Sequence, residues 1–528
     1  MNISEHLKKD YWVRRVTPDN LGSYPPVGNH VGYRNPRSGS LGVGYVNLTQ
    51  DQFLNELTPA AHVINSKYIS QRPIYKQTDE VDANGKKKWV LDGFDDVETV
   101  ALAIQEFIVG KKIAHLTGDN FWVASEGRDE EAFQKVESWM DLSGFWDAWA
   151  EAVSYCERNG DSALYWWYDG TGLNYEVFAY EKGDVLYPGV DEDGNPNLYR
   201  AYTLNGKQAV DVYTVKYKDT WVKVDTDEED GRAWIDRIFR FLKERPFSQT
   251  ISDDGYTRVS RKESQIGNDL LQVIYFRVPD IATGPVQGCI EKFEKAHSYI
   301  AEEVKNDAFP ILFVKSEKIV SLPPSKVNGK TLGVKGTSDS IAHSDAKFLA
   351  PPDASNIAKI NLDTLWNNIL RGSLTSIVEP IDIRQGADSS TTIKIMFAPD
   401  IEWCKNRWKF YAKPVRQLVE VFKRLVGKAE GDIARYGDMR MSCGQNIWIP
   451  QNESERVKIE LDQYYAGVKS RKATMSDIGN SHLGDAEQIM REKEEEKKLD
   501  AKYNSKTETT NPNIPNITNQ AENQPKGK

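Results

Sequence analysis

The chain has 528 residues, of which 39% are hydrophobic, and it carries a formal net charge of −10. This length predicts roughly three or four domains with enough chain to bury a core without disulfides or metals. The negative charge argues against a protein that coats nucleic acid, because such proteins gain most of their affinity from Lys and Arg on phosphates. The sequence shows neither an apolar run of membrane-spanning length nor the apolar core of a signal peptide, so we expect a soluble protein.

Residue types that carry chemistry are scattered. The cysteines are isolated and predict free thiols in a reducing compartment, and the seven histidines are dispersed. The acidic pairs Asp95-Asp96 and Asp253-Asp254 stand beside helix starts or turns, where capping explains them. The motifs of phosphate loops, serine hydrolases, zinc proteases and redox dithiols do not occur. We therefore expect no catalytic residue, no metal and no cofactor.

The N-terminal part predicts an arm followed by helices and a sheet. Residues 49–64 form one helical piece, and the turn at Asn84-Gly85 predicts a short hairpin. Helices are expected over 97–113 and 130–159. Between 163 and 224, six short β-rich runs are separated by Asp-Gly and Asn-Gly turns, which favours a single antiparallel meander, and residues 270–278 predict one more strand.

The middle of the chain predicts two helices that flank a small module. Residues 285–309 form a charged helix with a narrow apolar seam, and residues 356–377 form a second helix with a wide apolar arc. Between them lies a strand-and-loop module with strands near 311–314, 319–322 and 331–334. If the two helices run back along each other, the module sits at the tip of a helical stalk.

The C-terminal part begins with a polar loop over 379–394, which we expect to be exposed and mobile because Pro380 and Gly386 end one helix and allow a reversal. A long helix follows, with Asp400 as its expected N-cap. Pro414 inside that helix predicts a kink. A strand over 439–449, helices over 453–465 and 485–503, and a polar, disordered tail complete the chain.

Three stretches carry a resemblance to a known family. The runs Leu198-Tyr-Arg-Ala-Tyr-Thr203 and Val210-Asp-Val-Tyr-Thr214 are similar to wing strands, and the order of helix, module, helix, loop and kinked helix is the second feature. The third comprises Trp448-Ile-Pro, Ala466-Gly-Val-Lys-Ser-Arg-Lys-Ala-Thr-Met475 and Gly484-Asp-Ala-Glu-Gln-Ile-Met-Arg-Glu-Lys-Glu-Glu495. Together they resemble the portal (connector) proteins of tailed bacteriophages. One departure is Arg277-Val-Pro-Asp280, where that family often has paired Asn.

The resemblance implies an α+β ring subunit with an α/β wing, a helical stem, a small α/β clip and a helical crown. The domain boundaries that follow are 1–94 for the arm or wing periphery, 95–284 for the wing, 285–309 for the first stem helix, 310–355 for the clip, 356–378 for the second stem helix, 379–395 for a tunnel loop, 396–452 for the kinked helix and a wing strand, 453–503 for the crown and 504–528 for the tail.

The resemblance also implies a function. Such proteins form a homododecameric ring at one capsid vertex of the virion, through which the genome is packaged and ejected. The implied partners are double-stranded DNA, the large terminase subunit, the major capsid or scaffold protein and the head–tail adaptor, with no membrane, and the protein would be made in the bacterial host cytoplasm. The portal is not itself an enzyme, because the motor hydrolyses ATP.

Particular residues receive roles by this resemblance. The tunnel loop would place Glu379, Asp382, Arg384, Gln385, Asp388 and Lys394 near DNA, and Pro414 would shape the helix that carries the loop. The clip would dock its partners through Lys315, Lys318, Lys326 and Lys330.

Two other classes stay open at this stage. An aromatic-rich sheet with Trp166, Trp167, Tyr175 and Trp221 suits a non-enzymatic glycan- or protein-binding module. A glycoside hydrolase is the third class, since an acidic pair distant in sequence can meet in the fold.

Overall fold

The computed structural model describes residues 3–7, 12–16, 44–66, 70–81, 87–126, 129–191, 193–223, 255–307, 311–316, 331–335, 345–349, 355–377 and 390–449, with a few positions between 457 and 465. The chain divides into two compact units. The first comprises residues 1–377 and 397–449, and the second comprises residues 378–396 and 450–528. Among the described residues, every helix is too short or too polar to cross a membrane.

The N-terminal segments form two antiparallel strand pairs and short helices. Their bounds are α1 (Ile3–His6), β1 (Trp12–Val16), β2 (Gly44–Leu48), α2 (Gln50–Leu57), β3 (Gln71–Val81) and β4 (Lys87–Asp96). Strand β1 pairs with β2 and β3 pairs with β4, which confirms the predicted hairpin and lengthens it. The Trp12 indole donates to the carbonyl of Val278 at 2.9 Å, so the first pair is fastened to the body of the first unit.

Three helices follow, α3 (Ile104–Thr117), α4 (Glu130–Leu142) and α5 (Phe145–Asn159). The prediction of a helix from residue 97 is wrong at its start. Residues 97–103 run without helical structure, because their amides donate elsewhere: Val100 N donates to Ser298 Oγ at 2.9 Å and Leu102 N to Glu294 Oε1 at 2.9 Å. Side chains from residues almost two hundred positions away thus replace the helical acceptors.

The predicted meander is divided between two sheets. One sheet has the order β13-β6-β7 and the other β12-β11-β10-β9-β8. The bounds are β6 (Asp161–Tyr168), β7 (Leu173–Phe178), β8 (Val185–Val190), β9 (Pro196–Leu204), β10 (Lys207–Tyr213), β11 (Tyr217–Lys223), β12 (Tyr256–Glu263) and β13 (Val273–Arg277). The single-meander prediction is wrong because β13, distant in sequence, pairs with β6, while β8 turns into the second sheet.

Strand β6 is apolar on both faces because both faces are covered. Ala163 belongs to the cluster between the two sheets, together with Phe178 and Tyr213. On the opposite face, Trp166 is fully buried against helices, with its ring 5.1 Å from that of Phe422. Alternation along the strand therefore sends neighbouring side chains into two different cores.

The predicted helix pair forms. Helix α6 (Gln287–Asp307) and helix α7 (Ser355–Gly372) share an apolar cluster that includes Ile290 and Ile369. The rings of Phe293 and Trp366 lie 5.7 Å apart across it.

A three-stranded sheet lies between the two helices in the chain, formed by β14 (Ile311–Ser316), β15 (Thr331–Lys335) and β16 (Asp345–Leu349). Strand β14 pairs with β15 in parallel and with β16 antiparallel. The strand over 345–349 was not predicted, and the run at 319–322 lies outside the described residues.

The elements that follow are α8 (Ser390–Met396), α9 (Ala398–Glu430), α10 (Ile433–Asp438) and strand β17 (Met441–Gly444). Strand β17 pairs antiparallel with β5 (Trp122–Ser125), which lies between α3 and α4 in the chain. Two predictions need correction here. The end of the predicted loop, from Ser390, is helical, and α9 begins at Ala398 with Phe397 as N-cap, so that Asp400 lies inside the first turn.

Helix α9 is continuous through Pro414, so the kink stays a prediction. Positions 457–458 and 461–463 are helical, in agreement with the helix predicted over 453–465. The helix predicted over 485–503 and the tail after 504 lie outside the described residues.

A buried charge network fastens α9 to α5. Arg407 donates to both carboxylate oxygens of Glu157, at 2.7 Å from Nε to Oε1, and the Tyr411 hydroxyl donates to Glu157 Oε1 at 2.6 Å. Glu157 is 0% exposed. Because both oxygens of Glu157 accept hydrogen bonds from the Arg407 guanidinium or the Tyr411 phenol, the charged carboxylate is stable inside the core.

Replacing Glu157 by Gln should lower the free energy of unfolding by about 3–5 kcal/mol, because Arg407 keeps its charge in the core without a counter-ion. Chemical denaturation measures the change. Glu151→Gln, which breaks the exposed Lys182–Glu151 pair, is the control and should cost about 1 kcal/mol or less. Equal losses in the two variants would contradict the role given to Glu157.

A second network joins the N-terminal part to α6 through His62. Its Nδ1 lies 2.7 Å from Glu294 Oε1, and its Nε2 lies 2.9 Å from the carbonyl of Glu56. Both neighbours only accept hydrogen bonds, so the ring satisfies both when it is doubly protonated. Burial alone would lower the pKa of His62, but Glu294 and the Glu56 carbonyl outweigh it and raise the pKa above 6.5.

Since the folded-state pKa of His62 is raised, its contribution to stability is complete below about pH 6.5 and is lost as the pH rises through the folded-state pKa. The melting temperature of the wild-type protein should therefore fall over that range, and His62→Gln should flatten the fall. Glu294→Gln should flatten it too, since it removes the carboxylate. A pH dependence unchanged in both variants would show that His62 is neutral in the folded protein.

Candidate functional site

The residues predicted for function are only partly within the described chain. Of the tunnel-loop set, Lys394 is exposed on α8, and the remaining members, Glu379, Asp382, Arg384, Gln385 and Asp388, lie outside the described residues. Of the clip set, Lys315 lies on β14, and Lys318, Lys326 and Lys330 lie outside. The structure does, however, describe the two flanks of the loop in the first unit, residues 373–377 and 397–400.

The flank that precedes the loop is a tightly closed helix end. After Gly372, the Thr375 amide donates to the carbonyl of Leu370 at 2.9 Å and the Leu374 amide to that of Arg371 at 3.3 Å. This is a Schellman motif, and Leu374 takes the left-handed position with φ of 51°. Glycine usually occupies that position, so the backbone at the loop's entry is held in a conformation that a leucine rarely adopts.

The flank that follows the loop contributes Asp400, which joins both flanks to α3. Its carboxylate accepts hydrogen bonds from Lys112 Nζ at 2.6 Å, Lys111 Nζ at 3.1 Å and the Ser376 amide at 3.0 Å. It also accepts one from the Ser376 hydroxyl, and Lys112 donates to the carbonyl of Leu374. The chain is therefore tied together just before and just after the loop. We call Lys111, Lys112, Ser376 and Asp400 the loop anchor.

The most deeply buried charges of the loop anchor, Lys112 and Asp400, form an ion pair. The side chains of Lys112 and Asp400 are 0% and 1% exposed. Burial alone would raise the pKa of Asp400, but Lys112 and the hydrogen bonds from Ser376 outweigh it and hold the pKa below its usual 3.8. Asp400 lies in the first turn of α9, where the positive end of the helix dipole also stabilises its charged form.

His115 connects the loop anchor to the end of the first unit. Its Nδ1 lies 2.7 Å from the carbonyl of Trp448, and the Trp448 amide donates to the carbonyl of His115 at 3.2 Å. Burial lowers the pKa of His115, and its Nε2 lies 3.9 Å from Asp400. A Cβ on Gly118 would approach the Trp448 side chain to 2.9 Å, so a glycine is required for this close approach.

Sequence reasoning missed most of this site. Asp400 was interpreted as an N-cap, and the two lysines were not singled out. One signal was available: Ile108, Lys112 and His115 share the apolar side of α3, and a lysine on the buried face of a helix needs an anionic partner. The sequence does not show that this partner lies 288 residues further along the chain.

Among the described residues, no group of three or more His, Cys, Asp and Glu side chains could hold a metal ion. The buried charges of the site pair with each other and with backbone groups. The fold and the site thus define an α+β protein whose charged core residues position helices and the ends of a loop.

Residues 98–499 match the sequence family described as "Phage portal protein, SPP1 Gp6-like". The match spans well over half of the 528 residues, so the chain belongs to this family, and the resemblance found in the sequence is confirmed. A comparison with curated proteins gave no match. The members of this family are structural capsid components rather than enzymes. They act as oligomeric rings with capsid and terminase partners.

Replacing Asp400 by Asn should lower the free energy of unfolding by about 3–5 kcal/mol, because Lys112 would stay buried without its counter-ion. The pKa of Asp400 is lowered on folding, so its contribution is present above about pH 3.9 and is lost as the pH falls through the folded-state pKa. Denaturation at neutral and acidic pH measures both effects, and the two proteins should converge in acid.

The matched control is Asp147→Asn, which changes an exposed aspartate in the first turn of α5. Its cost should stay at about 1 kcal/mol or less, the size of an exposed helix-dipole interaction. If Asp400→Asn were as mild as this control, the loop anchor would not contribute to stability.

Proposed function

We propose that the chain forms a closed ring of twelve copies at one vertex of a phage capsid and that double-stranded DNA passes through its centre during packaging and ejection. The observation that carries this proposal is the family match over residues 98–499. In this hypothesis the ring docks the large terminase subunit during packaging and the head–tail adaptor afterwards, and it contacts the major capsid or scaffold protein at its rim.

The helix pair supports the stem assignment. Helices α6 and α7 pack through a buried seam, but apolar side chains also face outward from both of them. Tyr299, Val304 and Ile360 are 58%, 64% and 66% exposed in the single chain. Exposed apolar groups on a narrow helix pair suit burial against neighbouring copies, since a heterologous contact repeated by rotation closes a ring.

The loop anchor supports a tunnel loop with fixed ends. In our proposal the residues between Ile377 and Phe397 reach the channel, where Arg384 and Lys394 contact phosphates transiently and Glu379, Asp382 and Asp388 limit how strongly DNA is held. Asp400 and Lys112 would give the loop a rigid base, because their hydrogen bonds hold both of its flanks. Pro414 would shape α9 further along the same helix.

The net charge supports passage rather than retention of DNA. Twelve copies with a charge of −10 each would carry about −120, a repulsive background for a polyanion. Few phosphate contacts would then form at any one time, so the duplex could slide. For the clip, we assign partner docking to the lysines at 315, 318, 326 and 330, which would recognise acidic surfaces on the motor and the adaptor in turn.

The glycan-binding alternative loses its main support. Trp166 and Trp221 are 0% and 4% exposed, and the ring of Trp167 stacks on that of Tyr165 at 5.5 Å. The aromatic residues that suggested a sugar platform thus pack mainly inside the first unit. Stacking on a sugar would need their faces in solvent.

The purified protein should have a mass in solution near twelve times 59.9 kDa, and negative-stain images should show rings with a central hole as wide as a duplex. Its affinity for linear duplex DNA should be weak with a shallow salt dependence, because the channel makes few phosphate contacts. Light scattering, microscopy and filter binding measure these properties. A protein that stays monomeric at high concentration, also with capsid and scaffold proteins present, would overturn the proposal.

A further inference from the structure

An open groove lies where the start of α3 meets the helix pair. It has a volume of about 590 Å³, and its walls come from three helices. Residues that matter for its chemistry are Leu102, Phe107, Phe293, His297, Asp363 and Trp366. The lining is mainly apolar and aromatic, with Asp363 exposed at its edge.

The groove is not closed by the chain's own core. Phe107 is 49% exposed although it lies beside buried Ile104 and Ile108. The Phe293 ring packs on His297 at 4.6 Å and on Trp366 at 5.7 Å, so the floor of the groove is a continuous aromatic surface. Such a surface in water favours an apolar or aromatic occupant.

The opposite side of α6 carries a complementary feature. Lys292, Lys295 and Tyr299 are all exposed and follow one another at helical spacing. At about 100° per residue, Tyr299 lies roughly 200° around the helix from His297 and about 3 Å further along the axis. Lys295 Nζ lies 5.7 Å from the centre of the Tyr299 ring, so the aromatic group is flanked by a cation.

We propose that Tyr299 of one copy inserts into this groove of the next copy, with Lys295 directed at Asp363. The proposal rests on the ring assembly proposed above and assigns one of its contacts. A ring presents two different faces of each subunit to its two neighbours. Helix α6 carries the groove residues Phe293 and His297 on one side and the exposed Tyr299 on the other, about 9 Å and about 3 Å further along the helix axis than these two residues.

Charge complementarity favours a second copy as the occupant. On the N-terminal side of Tyr299, α6 exposes Lys292 and Lys295, and Glu302 follows one turn beyond Tyr299, where its carboxylate accepts from the Glu98 amide. The groove edge holds the carboxylate of Asp363. An aromatic group with an adjacent ammonium fits an aromatic pocket with an acidic edge, and an opposite-charge pair at the edge of an interface sets the register of the two partners.

A cross-linking experiment with two variants tests the contact. Full-length Tyr299→Cys and full-length Phe107→Cys proteins carry tags of different mass, so that the two kinds of copy can be told apart. The two proteins are assembled together, and the rings are treated with a short bismaleimide. The expected product is a dimer with one copy of each kind, because the two positions meet only across the interface. Either variant alone gives the background from half-buried Cys289 and Cys443.

The control pairs Tyr299→Cys with Leu142→Cys, an 81% exposed position on α4. Rings that form normally but cross-link no better through Phe107 than through Leu142 would overturn this contact and leave the proposed function standing. An absence of rings in the wild-type protein would overturn both.

A charge-reversal series avoids dependence on the cysteine variants. Lys295→Glu should weaken assembly and raise several-fold the protein concentration at which half of the rings dissociate. Adding Asp363→Lys in the same chain should return that concentration to the wild-type value. The effect should shrink at high salt, since an ion pair at the edge of an interface is screened. If the double variant assembled worse than Lys295→Glu alone, the pairing of Lys295 with Asp363 would be wrong.

Discussion

The first unit keeps several charges inside its core, and helix α9 carries three of them, Asp400, Arg407 and Lys423. Asp400 meets Lys112 near its first turn, and Arg407 meets Glu157 two turns later. A buried charge is tolerated only when its counter-ion and hydrogen-bond partners are placed with good geometry. Each pair therefore constrains the position of a helix: α3 through Lys112 and α5 through Glu157. The apolar core then packs between helices whose relative positions these pairs specify.

Further along α9, polar side chains donate hydrogen bonds to backbone carbonyls at the edge of the three-stranded sheet and after the helix. Gln417 donates to the carbonyl of Leu271 at 2.9 Å and to that of Val273 at 3.2 Å, at the edge strand β13. An open edge would present unpaired carbonyls to water or to another chain. Lys423 likewise donates to the carbonyl of Met439. Helix α9 thus forms hydrogen bonds both with the three-stranded sheet and with the segment that follows α9 in the chain.

This arrangement connects stability with function in a portal-family protein. In the proposed function the tunnel loop faces moving DNA, and such a loop would need a firm base. Here the base consists of the loop anchor, in which Asp400 binds both lysines of α3 and the amide of Ser376. The helix pair exposes Tyr299, Val304 and Ile360, where in the proposed ring a neighbour can cover them. The buried contacts thus keep each subunit rigid, and the exposed apolar groups are available for assembly.

The sequence by itself determined the α+β class, the helix pair at α6 and α7, the hairpin of β3 and β4, the long helix with Pro414 and the family. All of these follow from local periodicity, turn residues or the order of elements, which can be recognised from residues close together in the sequence. Only the tertiary structure decided that β13 joins β6, that α3 begins at Ile104, and that Asp400 is a buried anchor rather than a cap. The reason is the same in each case: the deciding hydrogen bonds come from residues far away in the chain, and a local pattern contains no information about which distant group will supply them.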